Sequence, residues 1–204
     1  WSTNPILEAD YPQAYINMGI TAENVANLYG IGREEQERFA LESHSKASNS
    51  ASEGLLSEEI TMITIDGHEI SADDCIRPGS TLEAMSKLKP AFDENGTVTA
   101  ATSSPLTDGA VFSLICSEDF ARSHSLDPLA YIVSGAVTGC PPELMGLGPI
   151  SSTQMALKRA GWDISDIEVF ELNEAFSSQS IACIRELLLD PSVVNIDGGA
   201  LAIG

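Results

Sequence analysis

The stretch from residue 167 to residue 204 constrains the fold more than any other part of the chain. Apolar and β-branched residues (Ile167, Val169, Phe170, Leu172) run into Asn173-Glu174-Ala175-Phe176, and a helical period follows in Phe176, Ile181, Cys183, Ile184, Leu187 and Leu188. Asp190-Pro191 breaks that period, residues 193–196 form a short apolar run, and the chain then enters Gly198-Gly199. With a strand over 129–137 and a helix over 151–160 before it, the order becomes strand, helix, strand, helix, strand. That alternation predicts a parallel sheet flanked by helices. Asn173-Glu174 then falls at a strand-to-helix corner, where open α/β sheets hold their ligands. An asparagine there offers an amide donor to a carbonyl oxygen gaining charge, or to a water that meets it. The same residue would serve as a plain helix cap, and Glu174 as a first-turn helix acid.

The upstream part reads differently. Residues 1–17 carry Pro5 and Pro12 with little periodicity and read as an irregular arm. Thr21 is placed to cap a helix from Ala22 to Tyr29 that Gly30 closes. Residues 33–51 form a longer helix whose apolar positions, Phe39, Ala40 and Ala47, are sparse, which predicts an exposed helix. Residues 58–65 alternate and turn at Asp66-Gly67 as a hairpin does. Residues 18–88 are therefore a small α+β module. Beyond it, residues 110–116 read as a strand, Ser117 caps a helix through Ser123, and residues 139–148 are a loop. Ser151 or Ser152 is placed to cap the helix over 151–160.

Charge excludes some partners. Thirty Asp and Glu face ten Lys and Arg, a net charge of −20, and both halves are acidic, so nucleic acid and anionic membranes are poor partners. Mean hydropathy is +0.04, no apolar run reaches the ~18–20 residues that span a bilayer, and the first residues lack a signal-peptide layout. Cys116 and Cys183 fall on apolar patterns as core residues, Cys75 and Cys140 fall in loops, and the spacing resembles neither a disulfide framework nor a metal site. His44, His68 and His124 read as surface residues without metal-ligand spacing.

Two motifs carry a family resemblance. Asn173-Glu174-Ala175-Phe176, followed after the helix by Asn195-Ile196-Asp197-Gly198-Gly199-Ala200-Leu201-Ala202-Ile203-Gly204, resembles the thiolases, the acyl-CoA:acetyl-CoA C-acyltransferases. Upstream, Met18-Gly19-Ile20-Thr21-Ala22-Glu23-Asn24-Val25-Ala26, Arg33-Glu34-Glu35-Gln36, Ile76-Arg77-Pro78-Gly79 and residues 87–100 occur in the order of that family's loop domain, which covers coenzyme A. The resemblance runs from about residue 15 to residue 204.

The resemblance implies an α/β fold: incomplete parallel mixed α/β halves with an inserted α+β loop domain. Residues 1–97 would be the loop domain, 98–127 the end of the first half, and 128–204 the start of the second. It implies acyl transfer: thiolytic cleavage of 3-ketoacyl-CoA by CoA, or the reverse condensation with acetyl-CoA, in fatty-acid metabolism. In the family the nucleophilic cysteine precedes this region, and the catalytic histidine and a second cysteine follow it. The 204 residues would then hold the donor side of the site and be inactive alone; the alternative is a non-catalytic remnant that binds CoA or a partner subunit.

By the same resemblance Asn173 belongs to an oxyanion hole, Arg77 lies near the adenine end of CoA, and Ser104 lies near its pantetheine arm. Ala91, Phe92 and Ala100 lie along that arm, Met18 and Met145 line the acyl end, and Ala175 and Phe176 contact substrate. Asn17, where acetoacetyl-specific members carry histidine, favours a broader 3-ketoacyl-CoA range. Expected partners are acyl-CoA and CoA, with no other cofactor and no metal, in a homo-oligomer, dimer or tetramer. The expected compartment is the cytoplasm, or the mitochondrion or peroxisome of a eukaryote.

Overall fold

The computed structural model describes residues 2–204, so Trp1, the first residue of the expected arm, lies outside the described residues. The arm is helical where irregularity was expected. Asn4 accepts from the backbone N–H groups of Ile6 (3.0 Å) and Leu7 (3.3 Å), and Pro5 opens α1, Pro5–Asp10. Pro12 opens a 3₁₀ turn, Pro12–Tyr15, in the same way. Proline's fixed φ suits a first helical turn, whose N–H groups have no intrahelical partner. Helix α2, Met18–Tyr29, ends at Gly30 (φ 62°) as predicted but starts a turn early, because Asn17 caps Gly19 N at 2.8 Å. Thr21 instead donates its hydroxyl proton to Met18 O at 2.7 Å.

The long helix α3, Arg33–Glu53, overturns the expectation of an exposed helix. It buries Gln36, Glu37, Ala40, Ser43, His44, Ala47 and Ser50, with Ala40 and Ala47 fully inaccessible. These positions recur every three to four residues, so the buried face is a stripe of small and polar side chains rather than of large apolar ones. Small residues let other backbones come close: a Cβ placed on Gly198 would meet Ala47 at 2.6 Å. His44, expected at the surface, is 6% exposed, and its Nδ1 accepts from Arg77 N at 3.3 Å.

A hairpin follows, β1 Ile63–Ile65 and β2 His68–Ile70, pairing Ile65 with His68 around Asp66 (φ 51°) and Gly67 (φ 80°). Two successive positive φ angles are what a tight two-residue hairpin turn requires. Helix α4, Leu82–Ser86, is capped by Thr81, and at its other end the Arg33 guanidinium donates to the carbonyls of Met85 (3.0 Å), Ser86 (3.2 Å) and Leu88 (2.5 Å). Helix α5, Glu118–Ser123, has the predicted Ser117 cap. Helix α6, Gly148–Ala160, starts before the predicted serine caps; Pro149 lies in its first turn and Ser152 bonds back to Gly148 O at 3.0 Å. Helices α7, Ser177–Glu186, and α8, Ala200–Ile203, complete the set.

Among the described residues, parallel pairing is confined to Phe170 with Val194, held by Phe170 N to Val193 O and Asn195 N to Phe170 O, both 2.8 Å. Residues 110–116 and 129–137, read as strands, carry no ladder; Val111, Phe112, Leu129 and Val137 are more than nine-tenths exposed. An alternating apolar pattern supplies propensity, but a strand exists only where a neighbour returns its hydrogen bonds. Cys116, expected in a core strand, is therefore exposed, whereas Cys183 is fully buried. The core sits between α2, α3 and α7. One cluster joins Val25, Ile31, Ile181 and Ala182, another joins Ala40, Met85 and Leu201, and Phe39 packs against both.

Three outcomes follow for stability. Ala47→Leu forces three extra carbons against Gly198 and should lower stability by about 1–3 kcal/mol, read as a lower urea midpoint at unchanged slope. The exposed Arg38→Ala should stay within about 0.5 kcal/mol of the parent. Burial, reinforced by the Arg77 charge, holds the His44 imidazole below its ordinary pKa. Above pH ~6.5 both states keep it neutral; as pH falls below that value, the unfolded chain protonates first and stability drops until the folded value is passed. His44→Gln should lose less Tm than the parent between pH 7.5 and 5.5; equal losses would mean His44 does not carry the dependence.

Candidate functional site

The segment from Phe170 to Phe176 is held in a two-faced conformation. Phe170, Leu172 and Glu174 turn inward, with Glu174 only 2% exposed, while Glu171 and Asn173 are exposed. Successive side chains on an extended backbone point to opposite faces, so anchoring the even positions projects the odd ones. The anchors are specific. Asn195 accepts from Leu172 N (2.7 Å) and donates to Leu172 O (2.8 Å). Glu174 accepts from Ser43 Oγ (2.7 Å), Asn195 Nδ2 (2.8 Å) and Leu201 N (3.2 Å). Helix α7 begins only at Ser177, after Phe176, which makes no side-chain cap bond. Asn173 is therefore not a helix cap, and Glu174 is not a first-turn acid.

Asn173 faces a cavity of about 180 Å³, lined also by Met18, Met145, Ala175, Phe176 and Gln179. Five residues singled out from sequence thus meet at one place from three separate elements: the start of α2, the 3₁₀ turn Pro142–Leu147 and the corner before α7. The methionine thioethers adapt to shape. Among the described residues, the Asn173 side-chain amide has no protein hydrogen-bond partner, which leaves its donors for a ligand oxygen or a water. Gly146 has to be glycine here, since a Cβ would come within 2.8 Å of the Gln179 side chain.

A second cavity, about 330 Å³, is lined by His44, Cys75, Arg77, Ser80, Thr81, Ala100 and Ser103, with Leu201 at its wall. With Nδ1 accepting, neutral His44 carries its proton on Nε2. Arg77 belongs to none of the ion pairs among the described residues. His44 is the residue that sequence reasoning missed in this cavity. Its place in the stripe Gln36, Ala40, Ser43, Ala47 was the available signal.

Residues Ser103 and Ser104 link the two cavities. Ser103 pairs with Phe176 in an antiparallel bridge, and Ser104 N donates to Ala175 O at 3.0 Å. The Ser104 hydroxyl donates to Ala200 O at 3.0 Å, tying in α8, and does not turn back on its own backbone. Ala91 and Phe92 line neither cavity. The Phe92 ring packs edge-on to Phe176, centroids 5.8 Å apart, and a Cβ on Gly19 would overlap it. Cys183 is no nucleophile: burial pushes its thiol up to about 11, and it donates to Gly146 O. Among the described residues no group of three His, Cys, Asp or Glu could hold a metal ion, and no helix is long and apolar enough to cross a membrane.

Comparison with known proteins places this geometry. The thiolase N-terminal domain model matches residues 8–119 and the thiolase C-terminal domain model matches residues 126–204. Acetyl-CoA acetyltransferase of Paracoccus denitrificans is 46% identical over 192 residues, covering 92% of this chain and 49% of the relative. The 3-ketoacyl-CoA thiolase of Aliivibrio fischeri is 48% identical over 198 residues, 92% of this chain and 51% of its own length. Among solved structures, human mitochondrial 3-ketoacyl-CoA thiolase in complex with CoA superposes with a TM-score of 0.87 at 39% identity, over 93% of this chain and 48% of that one. The dimeric peroxisomal thiolase of Saccharomyces cerevisiae gives 0.93 at 36% identity, over 100% of this chain and 53% of that one. The chain spans about half the length of the curated relatives it matches. Its fold is the α/β thiolase fold, and with both domain models matched in order along it, the chain belongs to the thiolase family.

Proposed function

We propose that this chain is the CoA-covering and oxyanion-side portion of an acetyl-CoA C-acyltransferase, an enzyme that cleaves 3-ketoacyl-CoA with CoA or runs the reverse condensation with acetyl-CoA, in fatty-acid metabolism. The observation that carries the reading is the meeting of Asn173 with Met18, Met145, Ala175 and Phe176 around one cavity. As a thiolate adds to a thioester carbon, the carbonyl oxygen gains negative charge, and a fixed donor stabilises that charge more than it stabilises the substrate. Asn173 supplies the donor; the nucleophile and the proton-transfer groups come from other parts of the enzyme. CoA is a substrate here, and no further cofactor enters the reading.

The ligand would extend from the Asn173 cavity past the Ser103-Ser104 wall to the cavity that holds Arg77, with Ala100 along the way and Phe92 supporting Phe176 from behind. Residues 1–97 then form the covering loop domain, 98–127 the end of one α/β half and 128–204 the start of the next; the division between the two matched domain models falls between residues 119 and 126. The dimeric neighbour supports a homo-oligomeric assembly, dimer or tetramer.

Two measurements test this. Calorimetry with CoA should show weaker binding for Arg77→Ala than for Ser104→Ala at low salt, with the gap narrowing as salt screens the charge. Equal, salt-independent losses would remove Arg77 from the phosphate-bearing end. In a full-length enzyme carrying these residues, Asn173→Ala should lower kcat by about 10²–10³-fold with KM for CoA nearly unchanged. An unchanged kcat would take Asn173 out of the oxyanion hole.

A further inference from the structure

The Glu174 carboxylate sits on the opposite face of the chain from Asn173, and every group that meets it is a donor. Asn195 cannot turn its amide round, because Oδ1 already accepts from Leu172 N and Nδ2 already donates to Leu172 O. The second Nδ2 proton therefore points at Glu174 Oε1, 2.8 Å away. Ser43 accepts from Gly199 N at 3.1 Å, which leaves its one hydroxyl proton for Glu174 Oε2 at 2.7 Å. Leu201 N donates to the same oxygen at 3.2 Å. Only a group that accepts at both ends fits this set. A glutamine of the same shape must set an NH₂ against Asn195 or against the Ser43 and Leu201 donors.

These donors come from three places that are remote in sequence: α3, the turn at Asn195 and the first turn of α8. Gly199 precedes α8 without a side chain of its own to cap it, and any Cβ there would overlap the Glu174 carboxylate. Glu174 thus replaces the missing cap of α8 and at the same time holds the backbone of its neighbour. Asn173 itself has no anchoring bond, so its direction is inherited from the pinned positions on either side, Leu172 and Glu174.

We propose that Glu174 is the positioning residue of the Asn173 amide, acting from the buried face through Asn195, Ser43 and Leu201. This rests on the oxyanion reading of Asn173. A carboxylate that merely stabilised the fold would change folding without coupling to Asn173; a positioning residue loses its effect once the amide it positions is gone.

The test is a double-mutant cycle on acyl transfer in a full-length enzyme carrying these residues. Glu174→Gln should lower kcat by about tenfold or more with KM for CoA within about twofold, and Asn173→Ala/Glu174→Gln should be no slower than Asn173→Ala alone. Losses that multiply in the double variant, or an unchanged kcat in Glu174→Gln where Asn173→Ala is slowed, would overturn the proposal. Should Glu174→Gln fail to fold, Ser43→Ala removes one donor and keeps the carboxylate; it should lower kcat less and again add nothing to Asn173→Ala, and multiplying losses would overturn the proposal equally. Nitrogen-15 spectra of this chain separate the two readings. Glu174→Gln should shift the side-chain amide signals of Asn173 and leave those of Asn49 in place. That shift, together with an Asn173→Ala enzyme of normal kcat, would keep Glu174 as the residue that positions the amide and overturn only the oxyanion role; an unmoved Asn173 signal would overturn the positioning role itself.

Discussion

A carboxylate without water around it persists only where donors replace the water, and two such groups decide how remote parts of this chain meet. Glu23, 4% exposed in α2, accepts from Thr97 N through both oxygens (2.9 Å each), from Thr97 Oγ1 (3.1 Å) and from Val98 N (2.8 Å). Glu174 does the same for α3, Asn195 and α8. Each is served by a glycine whose lack of a side chain lets the carboxylate in: Gly96 beside Glu23 and Gly199 beside Glu174. One staple ties α2 to residues 97–98, and the other closes the corner that carries Asn173.

Between the staples lies α3, and its composition explains why the packing is close. Large apolar side chains would have held α7 and α8 away; the Gln36, Ala40, Ser43, Ala47, Ser50 stripe lets the Gly198 turn rest directly on the helix. The polar members of that stripe are used as well as buried. Gln36 donates to Ile31 O and Thr97 Oγ1, Ser43 to Glu174, and Ser50 to Asp197 at 2.7 Å. The exception is Gln36 Oε1, a buried acceptor without a partner.

What could be read from the sequence was what local chemistry decides. The Asp66-Gly67 hairpin, the Ser117 cap and the Gly30 stop each depend on a few adjacent residues, and each is present. What could not be read depends on partners far along the chain. Counting apolar residues made α3 an exposed helix, because a helix that buries alanine, serine and glutamine shows almost no apolar face. Residues 110–116 and 129–137 have strand-like patterns but no strand to pair with among the described residues. His44 was placed at the surface because it lies outside the family's motifs and has no metal-ligand spacing, while the contact that reveals it, with Arg77, lies 33 residues away. Glu174 was seen, but its role was not, since the donors that reveal it lie 131, 21 and 27 residues away.

The charge of the chain poses a final question, since under the proposed function a ligand bearing phosphates has to approach a protein of net charge −20. At physiological salt an exposed charge is felt over about 8 Å, so most of the thirty carboxylates act on the approach and few act on the bound ligand. Contact energies in the Arg77 cavity then depend on the groups that line it. The His44 contact shows how that lining is set. An imidazolium would bring a second positive charge to the cavity, but it has no acceptor nitrogen, so gaining the proton means losing the bond that anchors Arg77 N. Burial and the Arg77 charge both favour the neutral ring. The arrangement therefore favours the Arg77 cation on an anchored backbone, with a neutral Nε2–H beside it, over two cations on an unanchored loop, and for a ligand recognised by geometry as well as by charge, a pre-ordered backbone loses less entropy on binding.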